Sequence, residues 1–174
     1  MNMDSVSAEQ ITDFKWMKEQ IFFKLVNAEN NQEKLKKQPH ILFHDLAIVF
    51  SAVVVKDEGR ILTTPITNEL MDKWSIDIDD LISAAKKNSE RLFPVRVFCI
   101  EDLLGIFFDG SAFAANVLED DESEIRTDCL YACTNDVKMN GAGAVLYDGV
   151  LKRFAEKAGC DIYILPSVAS HSFL

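Results

Sequence analysis

The chain has 174 residues, of which 48% are hydrophobic and 26% are charged, with only 7 Gly and 4 Pro. This composition is typical of a globular domain and excludes collagen-like, disordered and disulfide-scaffold proteins. Its 28 acidic and 18 basic residues give a formal net charge of −10. Because so acidic a surface repels phosphate backbones and anionic lipids, we expect neither nucleic-acid nor membrane binding.

The cysteines and the apolar runs bear on where the protein resides. The first ten residues carry no basic stretch followed by an apolar one, and the longest apolar run, residues 41–55, is shorter than the roughly 20 residues of a membrane helix. Four cysteines are spread over half the chain without the spacing of a disulfide framework: Cys99, Cys129, Cys133 and Cys160. We therefore expect a cytoplasmic protein with reduced thiols.

The first predicted element is an amphipathic helix over residues 7–26, with Ser7 as its N-cap. Trp16 and Phe23 are seven residues apart and would share the helix face opposite the main apolar stripe. We interpret this second apolar face as a candidate interaction face for a protein partner or for self-association. Cover by a loop of the same chain is the alternative.

Residues 40–55 are rich in Ile, Val and Phe, which predicts a strand buried on both faces. Because the run is longer than a common strand of about 5–6 residues, we expect a bend near His44 and Asp45. Asp57, Glu58 and Gly59 form a hairpin signal, so residues 60–64 are expected to return antiparallel.

The second half of the chain alternates predicted helices and strands. We expect helices over 67–74, from Ser75 or Asp77 to 92, and over 142–158, with a short helix near 32–36, and strands over 95–100, 129–134 and 161–165. This order predicts an α+β fold, with one mixed, mostly antiparallel sheet and helices packed on it in two layers. The whole chain, residues 1–174, is expected to form a single domain.

Two polar residues fall on predicted apolar faces. Asn88 lies in the apolar stripe of its helix, and Asp45 shares a predicted strand face with Phe43 and Ala47. Buried amides and carboxylates need hydrogen-bond partners, so each is either a structural tie or part of a site, with Asp45 as a general base. His40 and His44 have no third ligand nearby, so we predict no metal and no cofactor.

Several segments recur together in a known group of proteins: KLVNAENNQEKLKKQPHILFHDLAIVF, LISAAKKN, LYACTND, NGAGAVLYDGVL and DIYILPS. In order and spacing they resemble a bacterial domain-of-unknown-function family over about residues 19–167. The resemblance implies that family members are longer at the N-terminus, so that this chain is either a fragment, the C-terminal portion of a longer family domain, or a short variant. It supplies no activity. The family's polar positions map onto Asn27, Asn30, His40, Asp45, Asn88, Thr134, Asn135 and Ser167.

These polar positions have two readings that predict the same pattern. Asn and Asp at element ends commonly tie backbone segments together, which favours a non-catalytic protein-interaction module that binds a protein partner or itself. Alternatively, the side chains converge in a pocket, which would make the protein a small-molecule-binding domain or a hydrolase. The candidate polar cluster of this second reading consists of Asp45, Asn88, Asn135, Ser167 and His40.

Overall fold

The computed structural model describes residues 7–57, 60–102, 115–119, 124–137 and 139–165. The described residues divide into two compact units, the first ending at Leu92 and the second beginning at Phe93. Each unit combines helices with an antiparallel sheet, which confirms the predicted α+β class. The described strands form two separate sheets in which every pair is antiparallel, rather than one mixed sheet.

The N-terminal segment of the first unit is not one helix. Ser7 caps a short helix with a capping box, but Asp13 is extended and its side chain caps a new helix. A 3-10 helix and a strand follow, so the predicted helix over 7–26 is wrong. The β-branched and aromatic side chains of residues 21–27 pair with a later strand, and this pairing overrides their helix-like spacing. The elements are α1 (Ala8–Thr12), α2 (Phe14–Met17), the 3-10 helix Lys18–Gln20 and β1 (Ile21–Asn27).

The first sheet is built around one long strand. The 3-10 helix Glu29–Asn31 and α3 (Gln32–Leu35) lead into β2 (His40–Phe43), β3 (Leu46–Asp57) and β4 (Arg60–Pro65). β1 pairs along one side of β3, while β2 and β4 pair in succession along the other side. The antiparallel return strand predicted over residues 60–64 is therefore confirmed as β4.

The predicted bend at His44 and Asp45 is a full chain reversal. These two residues form the turn between β2 and β3, and His44 has a φ of 55°. A further irregularity, at which the β3–β4 register shifts, lies between Val53 and Val55.

Two helices complete the first unit at the predicted positions: α4 (Asn68–Trp74) and α5 (Ile78–Leu92). Thr67 caps α4, since its hydroxyl accepts from the Leu70 amide. The Asp77 carboxylate accepts from the Asp80 amide at the start of α5. The large, fully buried side chains of this unit are Met17, Ile21, Phe22, Phe50, Val53, Ile66 and Leu81, together with the polar Asn88 and Ser89.

The second unit contains a two-stranded sheet and one longer helix. Its elements are β5 (Val95–Cys99), β6 (Tyr131–Asn135), the 3-10 helix Gly141–Leu146 and α6 (Val150–Ala158). The helix predicted over 142–158 is interrupted because Gly149 adopts a φ of 78°, outside the helical range. The predicted strand over 161–165 is also wrong, since this segment pairs with no described strand and Tyr163 is 92% exposed.

Candidate functional site

An open groove lies at one end of the first sheet, between α3 and β2. It has a volume of about 610 Å³ and is lined by Asn27, Ala28, Glu29, Gln32, Leu35, Lys36, His40, Leu42 and Asp45. His40 and Asp45, two of the five residues of the predicted polar cluster, therefore line the same groove.

Backbone ties shape the groove. The side-chain oxygen of Asn27 accepts from the Asn30 amide at 2.8 Å, and the Asn31 side chain donates to the Asn27 carbonyl at 2.9 Å. The Ala28 amide donates to the Asp45 carbonyl at 2.9 Å. The chain that leaves β1 is thereby fixed against the β2–β3 turn, and Asn27 acts here as a tie between backbone segments.

The structure corrects the burial expected for Asp45. Its carboxylate was expected on a buried strand face, but Asp45 lies in the two-residue turn and is exposed. The prediction failed because the chain reverses at His44 instead of continuing as one strand. The burial on which the prediction of Asp45 as a general base rested is absent, although the residue remains on the rim of the groove.

Hydrogen-bond alternation shows which way the backbone of β2 points. The Phe50 carbonyl accepts from Ile66, on the β4 side of β3, so Phe50, Ile48 and Leu46 direct their backbone groups away from β1. Their partners Ile41 and Phe43 thus bond to β3, and the amide and carbonyl of Leu42 point outward. None of the residues that the structure describes forms a hydrogen bond to these outward groups.

The side chains of β2 are also exposed. Leu42 is 66% and Phe43 is 46% exposed, and they project to opposite faces of the sheet. Sheet edges are usually protected by charged residues, proline or bulges, but the sequence of β2 is HILF and contains no Asp, Glu, Lys, Arg or Pro. β2 is therefore an apolar, unprotected sheet edge beside the groove.

Asn88, by contrast, lies in the core, where its side chain joins α5 to the backbone at the start of β1. It is 1% exposed, and its amide donates to the carbonyls of Lys18 at 2.8 Å and Ile21 at 3.2 Å. The adjacent Ser89 hydroxyl accepts from the Phe23 amide at 3.2 Å. Both side chains satisfy backbone groups on the outer side of β1, so α5 closes the edge of β1 at Ile21 and Phe23.

Asp45 and Asn88 do not converge. Asp45 is tied to the chain just after the end of β1, whereas Asn88 bonds to Ile21 at the start of the same strand. A strand of this length separates its two ends by about 20 Å. Within the first unit, the predicted polar cluster is thus divided between two places.

The other cluster members lie elsewhere. Asn135 ends β6 in the second unit, is 2% exposed and donates to the Met139 carbonyl at 2.7 Å. Its side-chain oxygen has no hydrogen-bond partner among the described atoms. Ser167 lies outside the described residues.

The predicted interaction face does not exist as a helix face. Phe23 lies in β1 and is 7% exposed, and Trp16 is half-buried in α2. Because the chain changes from helix to strand between them, the seven-residue spacing no longer places the two side chains on one face. The pairing of Trp16 with Phe23 as an interaction face is therefore corrected.

Two features, one at the candidate site and one purely structural, were not predicted from the sequence. The open edge of β2 was hidden because residues 40–55 were interpreted as one buried strand. A buried amide in the second unit, Asn116, was not singled out: its oxygen accepts from the Val97 amide at 2.9 Å and its nitrogen donates to the Val95 carbonyl at 3.0 Å. An isolated Asn in a loop carries no signal from which this role could be predicted.

The comparisons with known proteins identify a family. None of the helices in the described ranges is long and apolar enough to cross a membrane. No curated protein and no solved structure matches the chain. A family model matches residues 1–170, a wider range than the 19–167 over which the resemblance was recognised. The chain therefore belongs to a family of unknown function, DUF5688.

Proposed function

We propose that this protein is a non-catalytic protein-interaction module that binds an extended segment of a partner protein along the outer edge of β2. The observation that carries the proposal is the outward-pointing backbone of Leu42 on a strand whose apolar side chains are exposed. An extended peptide that adds to such an edge gains backbone hydrogen bonds, and side-chain pockets then supply specificity.

The two faces of β2 offer different contacts to such a segment. The Leu42 side chain borders the groove, whereas Phe43 lies on the other face, where its ring meets the His44 ring edge-on at 5.0 Å. Because side chains alternate along a strand, a bound segment would direct successive residues to the groove and to Phe43. Burial of both apolar side chains would supply the driving force for binding.

The charges around the groove favour a basic partner segment. Glu29 and Asp45 line the groove, and Lys36 is already paired with Glu33. The chain as a whole has a formal net charge of −10. We therefore expect the preferred segments to combine an apolar residue with neighbouring Lys or Arg. The proposal includes a cytoplasmic location, supported by the four cysteines, which are all free thiols.

Selection from a displayed random-peptide library tests the proposal on the full chain. We expect peptides with an apolar residue flanked by Lys or Arg, and we expect Leu42→Asp to weaken their binding about thirtyfold or more. Leu62→Asp is the matched control, because Leu62 is 43% exposed on β4, away from the groove. The bound peptide should also slow hydrogen exchange at the Leu42 amide.

Two outcomes would contradict this function. Failure to select any peptide, or equal binding of the selected peptides to the Leu42→Asp and Leu62→Asp variants, would remove the β2 edge as the binding site. A dimer in light scattering that Leu42→Asp dissociates would replace the partner with a second copy of the chain.

A small-molecule-binding domain or hydrolase remains the second candidate. It is favoured by the groove volume of about 610 Å³, which falls within the range of ligand sites, and by the position of His40 and Asp45 on its wall. A fragment screen and a panel of ester substrates test this candidate. Binding or hydrolysis that is lost in His40→Ala and Asp45→Asn, but retained in Leu42→Asp, would favour it over the interaction module.

A further inference from the structure

A group of thiol and carboxylate side chains lies at one end of the second sheet, independent of the β2 edge. Cys99 ends β5, and the Ile100 amide donates to the Leu130 carbonyl at 2.9 Å, which extends the β5–β6 ladder by one step. This pairing brings Glu101 and Cys129 together beside Cys99. The two Sγ atoms and a Glu101 carboxylate oxygen all lie within 4.8 Å of one another.

A positively charged side chain, that of Arg126, already contacts two members of this group. The Arg126 guanidinium donates to the Cys99 Sγ at 3.0 Å and to a Glu101 carboxylate oxygen at 3.0 Å. A positively charged group therefore already lies against both Cys99 and Glu101.

The negative charges near this group outnumber the single positive charge of the Arg126 guanidinium. Asp102 lies 3.9 Å from the Arg126 guanidinium, and the Cys129 thiol donates to the Asp128 carboxylate at 3.4 Å. Two carboxylates, Glu101 and Asp102, thus lie within 4 Å of the guanidinium, and a third, Asp128, contacts the Cys129 thiol, before any thiol ionises. A dication that replaced the guanidinium would neutralise this excess and would favour the thiolate forms of both cysteines.

We propose that Cys99, Glu101 and Cys129 bind a zinc ion, with a fourth coordination position left to water. Two thiolates and one carboxylate are a ligand set that suits Zn²⁺. Zinc–sulfur bonds of about 2.3 Å in a tetrahedral site place ligand atoms roughly 3.7 Å apart, so the group needs to contract by only about 1 Å. The side chain of Arg126 is 52% exposed and can move outward to admit the ion.

Cobalt titration of the reduced, metal-free full chain tests this site. We expect one equivalent of Co²⁺ to produce a sulfur-to-cobalt charge-transfer band that one equivalent of Zn²⁺ abolishes. Cys129→Ser and Cys99→Ser should each lose the band, and Glu101→Gln should weaken binding about tenfold or more. Cys133→Ser and Cys160→Ser are the matched controls and should keep it.

Arg126→Met distinguishes a metal site from a purely structural cluster. Because the guanidinium competes for the same ligands, its removal should tighten Zn²⁺ binding, whereas a cluster held together by Arg126 would be weakened. Since Cys99 is buried and its substitution can disturb folding, the half-buried Cys129 provides the decisive variant.

Three results would overturn the proposal: no band in the wild-type chain, a band retained in Cys129→Ser, or weaker binding by Arg126→Met. A Cys99–Cys129 disulfide that forms without metal uptake would also overturn it and would identify a redox pair instead.

Discussion

The two units close the edges of their sheets with the same kind of side chain but with different hydrogen-bond roles. In the first unit, the Asn88 side-chain nitrogen donates to two backbone carbonyls while its oxygen accepts from the Arg91 side chain at 3.2 Å, and Ser89 supplies the acceptor for the Phe23 amide. In the second unit, Asn116 alone accepts from Val97 and donates to Val95. A buried amide is therefore no sign of a reaction site here, because both amides satisfy a strand that would otherwise lack partners.

The comparison also identifies what is different about β2. Polar side chains bond the outward groups of Ile21 and Phe23 in β1 and of Val95 and Val97 in β5, whereas the outward groups of Leu42 have no partner from the described part of the chain. β2 thus combines outward backbone groups that have no described partner with two apolar side chains, Leu42 and Phe43, that are 66% and 46% exposed. This contrast is the basis of the proposed function.

The largest expected effect comes from Asn→Asp substitutions at the two buried amides. Asn88→Asp would direct a carboxylate at the carbonyls of Lys18 and Ile21, so we expect a loss of about 3–5 kcal/mol in the free energy of unfolding. Asn116→Asp keeps the acceptor for the Val97 amide, so its cost should be smaller, about 1–3 kcal/mol. Urea denaturation followed by circular dichroism measures both.

The matched control is Asn30→Asp, an exposed change that should alter the free energy of unfolding by no more than about 0.5 kcal/mol. Equal costs at positions 88 and 116, or a larger cost at 116, would contradict the difference in hydrogen-bond roles.

A smaller effect is expected at two residues with left-handed backbone. His44, in the turn after β2, and Ser75, after α4, both have a φ of 55°. Glycine tolerates this conformation, so Ser75→Gly should stabilise the fold by about 0.5–1 kcal/mol. His44→Gly should gain less, because it also removes the ring contact with Phe43. Thermal denaturation would show the larger rise in Tm for Ser75→Gly, and the reverse order would refute the role given to that contact.

The last effect concerns thiol reactivity in the second unit rather than stability. Burial raises the pKa of Cys133 to about 11. Its thiolate fraction below that pH therefore falls about tenfold per pH unit, and Cys133 should react with iodoacetamide far more slowly at pH 8 than the exposed Cys160. Mass spectrometry of timed samples measures both rates, and urea should equalise them. Labelling of Cys133 at the rate of Cys160 in the folded chain would show that this face of the second sheet is open.

Elements that are determined by local signals could be predicted from the sequence. Thr67 and Asp77 are helix caps followed by apolar periodicity, so α4 and α5 were predicted correctly. Residues 21–27 form a strand only because β3 pairs with them, and a single window of sequence does not contain that information. The turn at His44 and Asp45 lacks glycine, so its reversal was interpreted as a bend within one strand.

The candidate sites depended even more on long-range pairing. Asn88 was predicted as a residue that must find partners, because an amide on an apolar helix face has few alternatives. Whether β2 is an edge strand or a central strand depends on which strands flank it. The sequence of β2 itself, HILF, does not determine its position in the sheet. Likewise, Cys99 and Cys129 are brought together by the β5–β6 ladder and not by any spacing in the sequence.

Hydrogen exchange measured by NMR on the free full chain tests the central contrast most directly. The account predicts strong protection of the Phe23 and Val97 amides, which bond to Ser89 and Asn116, and exchange at close to the unfolded-chain rate for Leu42. Slow exchange of the Leu42 amide, comparable to that of Phe23, would show that another part of the chain already covers the β2 edge and would contradict the proposed function.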